Sequence, residues 1–411
     1  MKKNLFILCM TLFLVMGCSK KIENEQTIKI GAMYAFSGDK ASIGNNIIRG
    51  IEFAIEMINE QGGVNDKKIE IIKGDTQGDP KRGRAVAEKL ILQDKVKAIL
   101  GCHQSTITAI VAQVCEHYKI PFLTAISTVD NLTTQNLDYL FRLCPTNTDY
   151  VEKEFIFLTE LAQLKNIRMK NIALFVDNSN IGQELIRCAK LMAEKYNLNI
   201  SMVIQYKGGS ANLISEVLKL RNENIDAVLC ESYVADAILF TKTLLEQNVH
   251  PPVILAKANG FSDPQFLKET NGISNGICSV VEYSADMPKC TSFSEKFTEK
   301  YGIDMNGHSA ESFTAVWVLK TAFEEAKSTD GKKVKEAMEK LHIVEKFENG
   351  PKIILPYDEI FFGDELIDGV QHHHNNIPAN VAIAQIQNGE WVTVWPFNNA
   401  RSEVLYPAPL K

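Results

Sequence analysis

The residues predict an α/β protein: two doubly wound parallel-sheet lobes with a ligand cleft between them. Short β-branched runs alternate with segments of helical period from Thr27 onward. After Arg142-Leu143-Cys144-Pro145 the alternation starts again, so a first array is followed by a second of the same kind. A chain of 411 residues, 45% hydrophobic and 23% charged, has an ordinary globular composition and the length for two cores, which excludes disorder and a coiled rod.

In the first array a strand over 28–36 turns at Ser37-Gly38 into a helix over 43–60. Its Ile47, Ile51, Ala54, Ile55 and Ile58 share one face, and Gly62-Gly63 is its stop. A strand over 69–73 follows. Asp79-Pro80 reads as an N-cap with proline in the first turn, opening a helix that runs to residue 93. A strand over 96–100 leads through Gly101 into a helix over 106–118, and a strand over 120–125 closes the array. The second array alternates helices over 150–164, 183–196, 213–222 and 235–247 with strands over 172–176, 200–206, 226–230 and 253–256. A strand over 277–283 leads back towards the first lobe, with helices over 292–301, 310–327 and 332–341 after it. Near the C-terminus, 352–355 and 382–387 flank a polar loop, and Asn388-Gly389 before Trp391-Val392-Thr393-Val394 predicts a type I′ hairpin. No Pro/Ser-rich spacer separates the lobes, which points to several strand crossovers instead of one flexible string. Ligands of doubly wound sheets sit at the carboxyl ends of the strands, so two facing lobes would bind in the cleft between them and close about a hinge.

Lys2 and Lys3 precede an apolar run from Leu5 to Met16, which reads as a signal peptide over 1–17. The run is too short to span a bilayer as a helix. Val15-Met16-Gly17-Cys18 resembles the bacterial lipobox, in which the chain is cut before the cysteine and the thiol carries lipid. The polar residues after Cys18 then form a tether over 18–27, and the expected location is the cell envelope: the periplasm or the outer face of the cytoplasmic membrane. A plain signal peptide with an incidental cysteine is the alternative. The formal net charge of −6 offers no basic field for nucleic acid. Nine scattered cysteines form no CxxC pair and are too few for a disulfide scaffold.

Several segments, taken in order, resemble the solute-binding proteins of ABC transporters for branched-chain and other hydrophobic amino acids, a periplasmic binding protein type I family. They are Ile30-Gly31-Ala32-Met33 with Ser37-Gly38, Arg49-Gly50 to Gly62-Gly63, Asp79-Pro80, Gly101 to Ser105, Pro121 to Thr128, Ser309 to Val316 and Asn388-Gly389-Glu390-Trp391. The resemblance covers essentially the whole chain after the tether. It implies three crossovers, over 144–148, 280–284 and 347–351. One lobe then spans 28–145 plus 284–348 and the other 146–283 plus 349–411. It also implies a lipid-anchored monomeric receptor with no cofactor, which captures an amino acid, amide or carboxylate by hinge closure and delivers it to a membrane permease.

The resemblance places a carboxylate-binding serine at Ser105, where the helix starting at Thr106 would present N–H donors; an ordinary N-cap is the structural alternative. It places the ammonium on the Thr128 hydroxyl and the backbone carbonyl of Ile126, against a simple Ser/Thr turn. Tyr233 matches a tyrosine that covers the ligand from the second lobe, or is a half-buried core ring. Ile43 and Ile181 stand where relatives often carry aromatic rings. Gln104 completes the candidate set; it and Gly78 also occupy the positions of a family disulfide, which is therefore absent. Branched-chain receptors carry a glutamate for the ammonium where this chain has Asn259, which accepts a hydrogen bond without supplying charge. Either Glu231 or Asp177 compensates, or the ligand is a short amide or another carboxylate.

His372-His373-His374 invites a metal reading, but adjacent histidines without a fixed partner read better as a solvated loop. Cys278 and Cys290 are the nearest cysteine pair, with buried free thiols as the default. The same fold could serve a signalling partner as a sensor. An exported hydrolase is disfavoured, because no G-x-S-x-G elbow occurs and His103 beside Ser105 is poorly placed as a base.

Overall fold

The computed structural model describes residues 27–38, 40–221, 224–257, 260–346 and 352–410. The signal peptide, Cys18, most of the tether, Asn259 and the crossover expected over 347–351 lie outside the described residues.

The first lobe opens with β1 (Thr27–Tyr34), α1 (Ala41–Glu60), β2 (Lys68–Asp75), α2 (Pro80–Leu92), β3 (Ala98–Gly101), α3 (Ser105–Tyr118), β4 (Phe122–Thr124), a short 3-10 turn over Asp130–Thr133 and β5 (Leu140–Arg142). The second runs through α4 (Asn147–Lys165), β6 (Asn171–Asp177), α5 (Asn180–Lys195), β7 (Asn199–Tyr206), α6 (Ile214–Lys219), β8 (Ala227–Glu231), α7 (Val234–Glu246), β9 (Ile254–Lys257), α8 (Pro264–Glu269) and β10 (Cys278–Val281). The chain then returns through α9 (Thr291–Tyr301), α10 (Gly307–Ala326), α11 (Gly331–Lys340), β11 (His342–Val344), β12 (Glu359–Ile367) and β13 (Val370–Asn376), and ends with β14 (Ala382–Gln387) and β15 (Glu390–Trp395).

Both sheets contain the same parallel core. In the first the order is β2-β1-β3-β4-β5, and in the second it is β7-β6-β8-β9-β10. Each order reverses once, between β1 and β3 and between β6 and β8, and such a switch point opens a crevice at the strand carboxyl ends. Apolar side chains fill both faces of each sheet, as helices on both sides require. Antiparallel additions make the sheets mixed: β11-β12-β13 extends the first and β14-β15 the second.

Local chemistry explains the helix starts. The Asp79 carboxylate accepts from the N–H groups of Lys81 (2.7 Å) and Arg82 (3.2 Å), and a reciprocal Thr146–Asp149 capping box opens α4. The α10 helix is buried almost all round, including Phe313, Val316 and Trp317, because it is wedged between the first sheet and α1. Contact there demands Gly50: a Cβ at that position would stand 2.1 Å from the Ser309 carbonyl oxygen. Asn388 and Gly389 both take positive φ (55° and 85°), the geometry of the expected type I′ turn between β14 and β15.

Two expectations are corrected. The segment 359–376, assigned above to the second lobe as part of 349–411, is an antiparallel hairpin on the first sheet, with Asn375 paired to Arg142 of β5; the chain crosses to the second sheet between β13 and β14. The three histidines, expected in a solvated loop, lie on β13. His372 is buried against Thr133 (3.1 Å), His373 meets Asp364 (3.1 Å), and His374 stacks on Phe141 with centroids 4.4 Å apart. The default for the cysteines agrees with the structure: Cys278 and Cys290 sit in the cores of different lobes, and all seven described cysteines are free and buried.

Candidate functional site

The two switch points carry most of the candidate residues. At the first, the Asp75 carboxylate accepts from the Phe36 N–H (2.8 Å) and the Ser37 hydroxyl (2.5 Å), fixing the turn from β1 into α1. Lys40 then N-caps α1, and with Ile43, Tyr34, Cys102, His103 and Gln104 it lines a cavity at the carboxyl ends of β1 and β3.

The N-cap of α3 is Gln104, in extended conformation, so Ser105 is the first helical residue and not the residue before it. That difference of one position leaves the Ser105 hydroxyl without a hydrogen-bond partner among the described residues, at the positive end of the helix. Beneath it, buried Ser127 donates to the Cys102 carbonyl (2.9 Å) and shares a 2.6 Å hydrogen bond with Thr108. This ties the loop carrying Thr128 to the start of α3. The Thr128 carbonyl accepts from the Asn147 N–H (2.8 Å), which also fixes it to the first crossover. The Ile126 side chain packs into the first-lobe core, so only its backbone is left for a ligand.

The second switch point is acidic. Asp177 ends β6 and Glu231 ends β8, on adjacent strands, and the two line a cavity with Ile181, Ser232 and Tyr233. Asp177 accepts from the Ser179 N–H (3.0 Å). Tyr233 N-caps α7 and is 47% exposed, so it is a rim residue and not a core ring. Gly260 donates to the Ser232 carbonyl (3.0 Å) and lies so close to the Ser232 and Tyr233 backbone that it leaves no space for a side chain.

Buried charge lies under this floor. Lys257 Nζ donates to Asn147 Oδ1 (2.8 Å), stands 3.5 Å from Glu231 Oε1 and lies over the Tyr150 ring. Glu231 is 2% exposed; loss of hydration pushes its carboxyl up to about 7 although Lys257 pulls the other way, and Oε2 has no partner among the described residues. Glu154, fully buried with both oxygens unpartnered among the described residues, is raised well above the ordinary range by burial, against the pull of Lys257. Lys257 itself stays protonated: burial opposes the charge, but Glu231, Cys188 and Glu154 outweigh it. On the first lobe His103 is pushed down to about 3 by burial, with His308 and Lys40 adding to the shift, so it is a neutral ring at ordinary pH.

Two contacts join the lobes beside the cleft. Lys40 Nζ lies 6.0 Å from the Tyr233 ring centroid. Arg187 of α5 pairs with Asp130 (2.5 Å), which also accepts from the Thr148 hydroxyl (2.6 Å). Asp130, Glu184 and Cys188 converge closely enough to suggest a metal site, but the Arg187 guanidinium reaches all three and supplies the cation.

The structure therefore brings Ile43 and Gln104 to one wall and Ile181 and Tyr233 to the other, and holds Ser105 and Thr128 together by Ser127. Sequence reading missed Lys40, Lys257 and Glu154. Lys257 had a signal, being a lone charge at the end of an apolar run; Glu154, which follows Glu152 and Lys153, had none, and Lys40 had none beyond its place after a glycine turn.

Two doubly wound lobes with opposed switch points define the class of two-lobed, cleft-forming binding proteins. The model of one family in that class, the periplasmic binding protein family, matches residues 27–390, and the chain belongs to it. It is 27% identical over 398 residues to the Leu/Ile/Val-binding protein homolog 7 of Brucella suis, covering 92% of this chain and 94% of that one. Its fold is that of a putative branched-chain amino acid ABC transporter protein from Silicibacter pomeroyi (TM-score 0.81, 17% identity, 94% of this chain and 100% of that one). It is also that of the branched-chain amino acid transporter substrate binding protein LivJ from Streptococcus pneumoniae in complex with isoleucine (TM-score 0.71, 20% identity, 93% and 100%). Periplasmic binding proteins act outside the cytoplasm, and among the described residues no helix is long and apolar enough to cross a membrane.

Proposed function

We propose that this chain is a receptor, lipid-anchored through Cys18, that captures an amino acid or amino-acid-like molecule by hinge closure and delivers it to an ABC transporter permease. The observation that carries the reading is the opposition of the two switch points. The first offers a helix start with a free hydroxyl at Ser105; the second offers Asp177 and Glu231, with Glu231 Oε2 unpartnered. A carboxylate at one wall and an ammonium at the other complement these charges. The second-lobe acids supply the negative charge that neutral Asn259 lacks, which favours an α-amino acid over a neutral amide. The names of the relatives, which speak of leucine, isoleucine and valine, support the same substrate class.

The test is a thermal-shift screen over amino acids, short amides and carboxylates, because a ligand at 100 times its dissociation constant adds about 2.7 kcal/mol to stability. X-ray scattering should show a smaller radius of gyration with the stabilising ligand. Loss of amino-acid binding in Glu231→Gln or Asp177→Asn, with retention in Asn259→Ala, is the expected pattern. The reverse pattern, or a screen in which no amino acid stabilises the protein, overturns the reading.

A further inference from the structure

We propose that Lys40 is a ligand-binding residue that pairs with a second anionic group, so that the preferred ligand is an amino acid with an acidic side chain or a related dicarboxylate. The inference rests on the receptor reading above and names its substrate class.

Among the described residues, Lys40 is the one charged residue lining the first-lobe cavity, and it forms no ion pair there. Its carbon stem runs over Gly78, where the Gln104 side chain also arrives, so the ammonium and the Gln104 amide share one corner of the cavity. Among the described residues the remaining polar lining supplies no negative charge: Tyr34, Thr76, His103 and Gln104 are neutral at ordinary pH. Across the cleft the Tyr233 ring centroid lies 6.0 Å from the Lys40 ammonium. A ring face offers a half-exposed ammonium only about 0.5–1 kcal/mol, and closure of the cleft would strip its water. An unpaired buried ammonium is expensive, so a closed cleft needs an anion beside Lys40.

The ligand α-carboxylate is already provided for by Ser105 and the N–H groups opening α3, and the acids of the second lobe favour an ammonium. The anion at Lys40 is then a further group of the ligand. Asp177 and Glu231 do not fill this role, because they line the second-lobe wall, where the receptor reading assigns them to the ligand ammonium.

The experiment is isothermal calorimetry on the full chain with glutamate, aspartate, glutarate and succinate, each compared with glutamine, asparagine or leucine. In the parent, the acid of each pair should bind about tenfold or more tightly than its neutral counterpart, and added salt should weaken that preference. Lys40→Met should abolish the preference without lowering the melting temperature, and Lys40→Arg should keep it. The proposal is overturned if leucine or an amide binds as tightly as the acids, or if the acid preference survives in Lys40→Met. If amino acids bind in a Glu231-dependent way that Lys40→Met leaves unchanged, this proposal alone falls. If no amino acid or dicarboxylate binds, the receptor reading falls with it.

Discussion

The two lobes share a strand order and differ in what they place at its reversal. In the first lobe the switch point ends in a cationic stem, a neutral imidazole and a helix start; in the second it ends in two carboxylates above a buried lysine. On the receptor reading proposed above, the scaffold would decide where a ligand sits, and a few residues at the strand ends which way round it lies. The same contrast holds for titration. Burial takes His103 down to about 3, so it is silent between about pH 5 and 8, whereas burial takes Glu231 up to about 7, in the middle of that range.

The sharpest way to break the contrast is to remove the cation beneath the acidic floor. Lys257→Met would leave Glu231 and Glu154 without their shared counter-charge, and removing one partner of a buried pair costs roughly 3–5 kcal/mol. Urea denaturation should show that loss, and Lys257→Met combined with Glu231→Gln should recover part of it. A single variant as stable as the parent would mean that the buried carboxyls are already neutral and need no partner.

On the first lobe the expected effect is on binding and not on folding. Ser105→Ala and Thr128→Ala should each weaken amino-acid binding by roughly 1.5–3 kcal/mol, the range for hydrogen bonds to charged groups. Neither hydroxyl has a partner among the described residues, so melting temperatures should stay close to the parent value. Calorimetry that finds both variants binding like the parent would move the site away from the start of α3.

The arrays and their order were legible in the sequence because apolar runs of period two and faces of helical period are local signals, as with Ile47, Ile51 and Ile58 on α1. The 359–376 hairpin was not legible. Its residues His372, Asn375 and Asn376 look solvated, yet each hydrogen-bonds a distant partner: Thr133, the buried Arg142 and the Leu143 carbonyl. That network exists only after β5 has formed, and no local pattern announces it. Ser105 and Tyr233 are candidates through the resemblance alone, and the floor charge at Lys257 was visible only as an anomaly.

A pH series probes the second lobe alone. With Glu231 near 7, a ligand ammonium meets a carboxylate above that pH and a neutral acid below it, so affinity should fall as pH drops, by up to about tenfold per unit. Glu231→Gln should flatten the profile. For folding the sign is opposite: because burial raises this carboxyl above its unfolded value, its contribution to stability declines as pH rises from the ordinary glutamate range to about 7, then levels off.

The smallest effect is expected at the clasp beside the cleft. Arg187 is 44% exposed, so its bond to Asp130 is screened and worth only about 0.2–1 kcal/mol, although Thr148 and Arg187 together hold the Asp130 carboxyl below its usual range against the effect of burial. Asp130 belongs to the first lobe and Arg187 to the second, so the bond can exist only while the lobes are close. Arg187→Ala should therefore leave each lobe folded and shift the unliganded protein towards open forms, seen as a slightly larger radius of gyration and a modestly faster ligand release. Raising salt should mimic the variant in the parent and do nothing further in Arg187→Ala. An identical scattering curve for parent and variant at low salt would show that the hinge angle is set by the crossovers and not by this pair.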